Sequence, residues 1–235
     1  IGDGNNYVGN PELNPEKSRQ IELGFDWVVG DFYFSPRFFH RNVDDYIQGI
    51  AATNLAVIGV STNANGDPTP LLFANTEAEF NGMDITFGTQ INSNWRVEGI
   101  ASMVDGDRED ISDNIYSVAP SSARVTLYYE ANRFNAKIEQ VFVAEQDELS
   151  RTNTLDPLSG NNSFAKTDSY ALTNVYLTWL MNDEVTISAG AENLFDEDYT
   201  DHLTGFNRVI DSVVPVGSRM LGQGVNVFGR VQYKW

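Results

Sequence analysis

The segment 225–235 alternates strictly between two kinds of side chain. Its odd positions are apolar, aromatic or glycine, whereas its even positions are Asn226, Phe228, Arg230, Gln232 and Lys234. A period of two is typical of a β-strand with one apolar face, and it is incompatible with the 3.6-residue period of a helix. This alternation constrains the fold more than any other feature of the chain.

The same pattern recurs along the whole sequence. It predicts about nine strands, at 19–29, 32–41, 83–91, 95–104, 123–130, 134–143, 170–179, 185–192 and 225–235. No stretch shows a convincing helical period, so we expect no helix. A parallel α/β sheet is therefore not expected, because it needs helices between its strands.

The connections between these strands alternate between short and long. The short ones are 30–31, 92–94, 131–133 and 180–184, and the long ones are 44–76, 105–122, 145–168 and 196–223. Loops beyond about 12–15 residues are uncommon in compact domains. Outer-membrane barrels, in contrast, have short turns at one end and long loops at the other. The sequence thus predicts an all-β fold, an antiparallel transmembrane β-barrel.

Charge is concentrated in the long connections. The chain carries 33 acidic and 15 basic residues, a formal net charge of −18, which argues against a nucleic-acid partner. Segments 105–116, 145–168 and 196–213 have net charges of −4, −3 and −4, and so hold −11 of that total. The strand faces assigned to lipid carry no charge. With no cysteine, neither a disulfide nor a cysteine metal site can form.

The opposite strand faces carry charges that we expect to line a lumen and to pair with each other and with a plug. They are Glu22, Asp26, Arg37, Arg41, Asp84, Arg96, Glu98, Arg124, Lys137, Glu139, Glu192 and Arg230. Trp95, Trp179, Tyr233 and Trp235 lie at the short-turn or terminal ends of their strands. This placement predicts an aromatic girdle at one membrane interface.

Three motifs resemble those of TonB-dependent outer-membrane receptors. Residues 10–24, NPELNPEKSRQIELG, are similar to the family's NPxLxPEKSxxxELG segment. Residues 78–84, AEFNGMD, are similar to its AexxGxE strand entry, with Asp84 where glutamate is usual. Residues 191–199, AENLFDEDY, are similar to its xxNLFDxxY signature, and the terminal Trp235 completes the pattern.

The resemblance implies a 22-stranded barrel with an N-terminal plug, of which this chain is the C-terminal portion of about nine strands. The plug, the TonB box and the first strands then lie outside residues 1–235. It also implies active import of a scarce ligand, such as a ferric siderophore or another metal complex, with energy from the inner-membrane TonB complex. Outer-membrane lipid and, through the C-terminal strand, the barrel assembly machinery are further implied partners. No cofactor is expected.

Each group of candidate site residues has two possible roles, one in binding a ligand or metal and one without any binding function. In the family motif, Asn193, Leu194, Phe195, Asp196 and Tyr199 either contact ligand or, as we expect, turn the chain out of the sheet. Asp105, Asp107, Glu109 and Asp110 either hold a hard cation such as Ca²⁺ or form a solvated acidic loop. His202, in a long loop, is a candidate metal or chelate ligand, although most single loop histidines are neither.

Residues 199–209 and 214–219 resemble receptors for copper or other metals. Copper favours methionine and histidine ligands, yet the chain has two histidines, at 40 and 202, and four scattered methionines, at 83, 103, 181 and 220. A copper or other metal-ion receptor therefore stays open as a second ligand assignment. A passive porin and a soluble β-sandwich module also stay open as functions. No hydrolase elbow, phosphate loop or zinc motif is found, so an enzyme is not expected.

Overall fold

The computed structural model describes residues 5–151, 166–207 and 209–235. The elements are β1 (Tyr7–Val8), β2 (Lys17–Gly24), β3 (Trp27–Val29), β4 (Phe32–Ala51), α1 (Leu55–Asn65), β5 (Leu71–Gln90), β6 (Trp95–Arg108), β7 (Asp113–Asn114), β8 (Ser122–Glu130), β9 (Phe134–Val143), β10 (Tyr170–Leu180), β11 (Val185–Glu192) and β12 (Asn226–Tyr233).

Nine of these strands form an antiparallel meander in the order β12–β11–β10–β9–β8–β6–β5–β4–β2. The nine predicted strands and their antiparallel arrangement are confirmed. The sheet is open, with β2 and β12 at its edges. The three short strands extend it: β3 pairs with β4, β7 pairs with β6, and β1 runs parallel to β5.

The predicted long loop 44–76 is wrong, because β4 and β5 are each 20 residues long and continue into it. Their register shifts between Val43 and Tyr46, and Asp45 has a positive φ of 59°. This bulge adds a residue to β4 and reverses the phase of the alternation beyond it. A search for one continuous period of two therefore ends the strand too early.

The expectation that the chain has no helix is also wrong. Helix α1 lies between β4 and β5 and is bounded by local signals. The Asn54 side chain accepts a hydrogen bond from the backbone N of Ala56 at 2.9 Å, and Gly66 closes the helix with φ of 75°. The helix LAVIGVSTNAN has no clear apolar stripe, so its sequence gives little helical periodicity to detect.

The other connections largely follow the prediction. The four short links join β3–β4, β5–β6, β8–β9 and β10–β11. The link 105–122 is shorter than expected, because β6 continues to Arg108 and β7 pairs back onto it. In 196–223, the described residues form one isolated bridge, between Phe206 and Arg219. Part of 145–168, residues 152–165, lies outside the described ranges.

The strand register defines two faces. The charged face carries eleven of the twelve charges predicted to line a lumen: Glu22, Arg37, Arg41, Asp84, Arg96, Glu98, Arg124, Lys137, Glu139, Glu192 and Arg230. The twelfth, Asp26, lies between β2 and β3 and forms an ion pair with Arg37 at 2.6 Å. That this face lines a lumen remains a prediction.

The opposite, apolar face is not covered by another layer. Even in the middle of the sheet, the side chains of Ile138 and Leu177 are 46% and 39% exposed. At its short-link end, Trp95 lies across from Tyr129 with ring centroids 4.9 Å apart, and Trp179 lies across from Phe134. Such a row of aromatic side chains below an apolar surface is the arrangement of an interfacial girdle.

A small buried core lies on the charged face at the opposite end of the sheet. Val43, Ala78, Phe80 and Ile115 are each at most 6% exposed. Ile115 comes from the link after β6, and its backbone N donates to Gly106 O at 2.7 Å. This link therefore folds over the charged face and covers part of it.

The described ranges form a single sheet without a second sheet packed on it. The interpretation as a soluble β-sandwich is therefore wrong, since such a module buries its apolar stripes between two sheets. No helix in the same ranges is both long and apolar enough to cross a membrane.

A charge placed in the middle of the apolar face tests its assignment to lipid. We expect Ile138→Arg to destabilise the protein by about 2–4 kcal/mol, the cost of an arginine near the bilayer midplane. Urea unfolding of the full-length protein in phospholipid bilayers measures this loss. As a control, Ser102→Arg adds the same side chain on the charged face, across from Asp84, and should change stability by less than about 1 kcal/mol. Equal losses in the two variants would contradict the assignment.

Candidate ligand-binding loops

The three long links after β6, β9 and β11 are joined to one another. Gln146 Nε2 donates to Val118 O at 3.2 Å and connects the first link to the second. Thr167 Oγ1 and His202 Nδ1, 3.0 Å apart, connect the second to the third. We call the described residues of these links, within 109–121, 144–151, 166–169 and 193–225, the loop layer.

Asn193 closes the base of the third link. Its backbone has a positive φ of 47°. Its side chain donates to Glu197 O at 2.9 Å and to Gln223 O at 3.0 Å, and accepts from Glu197 N at 2.9 Å. Asp196, with φ of 54°, accepts from Val225 N at 2.9 Å. Where β11 and β12 separate, hydrogen bonds from these two side chains to the backbone take the place of the backbone–backbone hydrogen bonds between the strands.

The remaining motif residues have different surroundings. Leu194 donates its backbone N–H to Thr173 O at 2.9 Å, which extends the pairing with β10. The Phe195 side chain is 76% exposed, and Trp235 is fully exposed. Tyr199 packs against Tyr170 in a tilted arrangement, with ring centroids 4.5 Å apart. The motif residues Leu194 and Tyr199 therefore make pairing and packing contacts; that the motif is structural and not ligand-binding stays a prediction.

Tyr199 also explains a glycine in the link. A Cβ atom at Gly222 would lie 2.2 Å from the Tyr199 ring. The backbone N of Gly222 donates to Tyr199 O at 2.8 Å, so the two segments are in contact along their backbones. Only glycine allows this close approach.

His202 is buried inside the loop layer, at 6% exposure. Its backbone O accepts a hydrogen bond from Arg219 Nη1 at 2.6 Å. Burial, together with the nearby Arg219 charge, lowers the pKa of His202 to about 4. The ring is therefore neutral at neutral pH and is held by Thr167.

The predicted metal role of His202 lacks partner ligands. Within the described ranges, no three His, Cys, Asp or Glu side chains converge on a position that could hold a metal ion. The geometry instead makes His202 a buried link between two segments of the loop layer. The metal role stays a prediction without support from the surrounding side chains.

The structure separates the four carboxylates of the acidic segment. Asp110 forms a two-point ion pair with Arg108, with distances of 2.5 and 3.0 Å. Asp105 and Asp107 extend from β6, and Asp107 lies across from Glu79. Glu109 is joined through its backbone N to Glu77 O at 2.9 Å. The four residues therefore do not form the compact cation site considered from the sequence.

A different group of carboxylates assembles beside them. Asp105 and Asp107 lie at the end of β6, and Asp107 is across from Glu79 on β5. The charge of Asp105, followed by burial and by a hydrogen bond to the Asp105 side chain, raises the pKa of Glu148. Glu148 is on the next link, so sequence spacing did not indicate this neighbour. These carboxylates create a negative potential at the long-link end of the apolar face.

Several charges of the charged face pair across strands. Arg124 and Lys137 lie 3.8 and 3.6 Å from Glu139, and Arg96 pairs with Glu98. Tyr176 donates to Glu192 at 3.1 Å. In contrast, Glu22, Asp84 and Arg230 form no ion pair with another side chain in the described ranges. The face therefore combines satisfied pairs with charges that remain available.

Three structural residues of the loop layer were not found from the sequence. Asn207 Nδ2 donates to Val214 O at 2.6 Å, and Arg219 lies over the Phe206 ring at 4.8 Å. Thr167 is 6% exposed and holds His202. An isolated asparagine, arginine or threonine in a polar loop carries no local signal of such long-range contacts.

Comparison with known proteins identifies one family. The model described as "TonB dependent receptor-like, beta-barrel" matches residues 1–194. The vitamin B12 transporter BtuB of Vibrio vulnificus (strain YJ016) is 23% identical over 231 residues, which are 97% of this chain and 31% of that protein. The chain thus spans about a third of the length of this relative.

Solved structures show the same fold. The copper transporter OprC superposes with a TM-score of 0.76 at 20% identity, over 95% of this chain and 33% of OprC. The ferric yersiniabactin uptake receptor FyuA from Yersinia pestis gives a TM-score of 0.62 at 14% identity, over 93% of this chain and 30% of FyuA.

The Asn193 bonds allow a direct test of the motif's structural role. We expect Asn193→Ala to destabilise the loop layer by about 1–3 kcal/mol, since it removes three hydrogen bonds to the backbone of Glu197 and Gln223, each worth about 0.5–1.5 kcal/mol. The measurement is amide hydrogen exchange of residues 193–225 in the full-length receptor. Phe195→Ala, in the same motif but at an exposed side chain, should leave exchange unchanged. Equal protection in both variants would contradict the role.

The lowered pKa of His202 predicts that the stability of the surrounding part of the loop layer depends on pH. The pKa of His202 in the folded protein is about 4, below the ordinary 6.5 of a histidine. Burial of the neutral ring therefore stabilises the loop layer fully above about pH 6.5, and this stabilisation is lost as the pH falls toward 4. The loss is at most about 3 kcal/mol. Amide hydrogen exchange of residues 201–221 should therefore become faster as the pH falls between these two values, after correction for the intrinsic pH dependence of exchange. His202→Gln should remove this dependence; if it persists unchanged, another group causes it.

Proposed function

Because the chain belongs to the TonB-dependent receptor β-barrel family, we propose that it is the C-terminal portion of a receptor that imports a metal chelate, most simply a ferric siderophore. Members of this family lie in the bacterial outer membrane, and this chain shares that location. The TonB complex of the inner membrane would supply the energy through a plug and TonB box outside residues 1–235.

The charged face supports a plug partner. Glu22, Asp84 and Arg230 are on this face and have no ion-pair partner in the described ranges. The Nε atom of Arg41 is buried without a hydrogen-bond partner. Glu22, Asp84 and Arg230 are exposed in the described ranges, so they are open to a partner, and the buried Nε of Arg41 lacks an acceptor. A polar domain inside the barrel is the simplest source of partners for all four.

The distribution of soft ligands favours a chelate over a bare copper ion. Met83 and Met103 are neighbours on adjacent strands of the apolar face. Met181 lies in the short β10–β11 link, and Met220 is in the loop layer. His40 Nδ1 lies 2.9 Å from Asn81 Oδ1, far along the chain from His202. Apart from the Met83–Met103 pair on the lipid-facing side of the sheet, these side chains are dispersed, whereas a chelate carries its own metal ligands and needs none of them.

The negative charge around the loop layer restricts the net charge of the chelate. Segments 105–116, 145–168 and 196–213, which overlap the loop layer and the end of β6, hold −11 of the net charge, and a surface of one sign raises the local concentration of ligands of the opposite sign. We therefore propose a neutral or cationic chelate and not a polyanionic one.

A passive porin and an enzyme have less support. The family consists of receptors and transporters, so neither of these functions is proposed. We also retain the barrel assembly machinery as a proposed partner of the C-terminal strand β12 and Trp235. The observation that carries the proposal is the family match over residues 1–194.

Uptake in a deletion strain tests the function. The strain is complemented with the full-length receptor and supplied with radiolabelled iron on cationic, neutral and anionic siderophores, with cobalamin, or with copper salts. We expect uptake of at least one cationic or neutral ferric siderophore, about tenfold above the empty-vector strain, and its loss in a strain without TonB.

Two results would contradict the proposal. Uptake of copper or cobalamin alone would assign a different ligand. Uptake that continues without TonB would identify a passive channel.

A further inference from the structure

Asn174 of β10 joins the charged face of the sheet to the base of the third link. It lies across from Glu139 of β9 in register, and its Nδ2 donates to Glu139 Oε1 at 3.0 Å. Its Oδ1 accepts the backbone N–H of Asn193 at 2.9 Å. One side chain therefore contacts both a carboxylate of the charged face and the turn from which the third link starts.

Both hydrogen bonds need an amide at position 174. An ionised carboxylate only accepts hydrogen bonds and a backbone N–H only donates them, so the side chain between them must offer one donor and one acceptor. The same requirement fixes the orientation of the Asn174 amide, because exchanging Oδ1 and Nδ2 would place donor against donor and acceptor against acceptor. Aspartate has the same shape but lacks the donor, so Asn174→Asp separates the two bonds.

Two cations hold the Glu139 end of this connection. Glu139 Oε2 lies 3.6 Å from Lys137 Nζ and 3.8 Å from Arg124 Nε. The Glu139 side chain is 12% exposed, whereas those of Lys137 and Arg124 are more open to solvent. The carboxylate is therefore largely covered, while both cations stay accessible from the charged face.

Hydrogen bonds hold the Asn193 end. Asn193 is buried and has a positive φ of 47°. Asparagine tolerates this left-handed region better than most residues, because its short polar side chain can form local hydrogen bonds there. The Asn193 side chain binds Glu197 and Gln223, and Asn174 binds its backbone N–H. Loss of the Asn174 bond therefore weakens the turn and the base of the third link together.

We propose that Asn174 is a positioning residue for the loop layer and couples the third link to the ion group of Arg124, Lys137 and Glu139. An anionic group that binds the two cations from the lumen leaves Glu139 without its ion partners. Because an unpaired carboxylate is costly to bury, Glu139 then turns to solvent and away from Asn174, and the base of the third link loosens. The importance of this coupling for ligand capture rests on the proposed function, whereas the coupling itself does not.

Amide hydrogen exchange of residues 193–197 and 223–225 tests the positioning role, in the full-length receptor without any ligand. Asn174→Asp keeps the acceptor for Asn193 but places a second carboxylate beside Glu139, where like charges repel. We expect exchange of these residues to become at least tenfold faster. Adding Glu139→Gln supplies a new donor to the aspartate and should return exchange to within about threefold of the wild type.

The matched control is Glu98→Gln, the same change at an ion-paired glutamate of the same face. It should leave exchange unchanged on its own and should not rescue Asn174→Asp. If Asn174→Asp does not assemble, Asn174→Ala removes both bonds without adding a charge. It should also accelerate exchange, and Glu139→Gln should not rescue it.

The cations are tested by the same measurement. A receptor with both Arg124→Gln and Lys137→Gln should exchange residues 193–197 at least threefold faster than the wild type. A receptor with both Arg96→Gln and Arg230→Gln loses two other cations of the charged face, neither of which pairs with Glu139 in the described ranges, and should exchange them at the wild-type rate.

Unchanged exchange in Asn174→Asp, or no rescue by Glu139→Gln, would overturn the positioning role of Asn174. Unchanged exchange after loss of Arg124 and Lys137, or an equal rise after loss of Arg96 and Arg230, would overturn the coupling to the ion group. Because no ligand is present, these outcomes do not depend on the result of the uptake experiment.

Discussion

The backbone hydrogen-bond ladder is the interaction on which the rest of the structure depends. In hydrocarbon, an N–H or C=O group without a partner costs several kcal/mol, and no water is available to replace it. The antiparallel pairing from β2 to β12 satisfies these groups between neighbouring strands. With the backbone satisfied in this way, the side chains of the two faces can differ completely. One face meets lipid and is free of charge in the described ranges except toward its long-link end, where charges such as Arg19, Glu79, Asp105 and Asp107 lie; the other carries the remaining strand charges.

Where the ladder ends, polar side chains take its place. Asn193 and Asp196 bind the backbone at the base of the third link, and Asn207 binds it nearer the tip. Thr167 and His202 then join that link to its neighbour. The loop layer is thus held mainly by bonds between side chains and backbone, and a ligand would meet a surface whose shape these few residues determine. The same region carries the negative charge that restricts the ligand.

Period-two alternation was sufficient to predict the nine strands, their two faces and the ends at which the links lie. It failed at Val43–Tyr46, since a bulge changes the phase of the pattern, and at α1, which has no apolar stripe. The motif around Asn193 could be recognised as a turn because asparagine and aspartate favour one. Glu148 and Asp105 come from different parts of the chain, and Arg219 and His202 lie 17 residues apart in one link. No local sequence pattern could predict contacts over such separations.

The account is tested most directly by measuring which residues of one strand contact lipid. Single spin labels are placed at each position from 173 to 179 of β10 in the full-length receptor in bilayers, and their collisions with oxygen and with a water-soluble nickel complex are compared. The account predicts a period of two, with oxygen collisions highest at 175, 177 and 179 and lowest at 174, 176 and 178. A profile without alternation, or with the opposite phase, would contradict it.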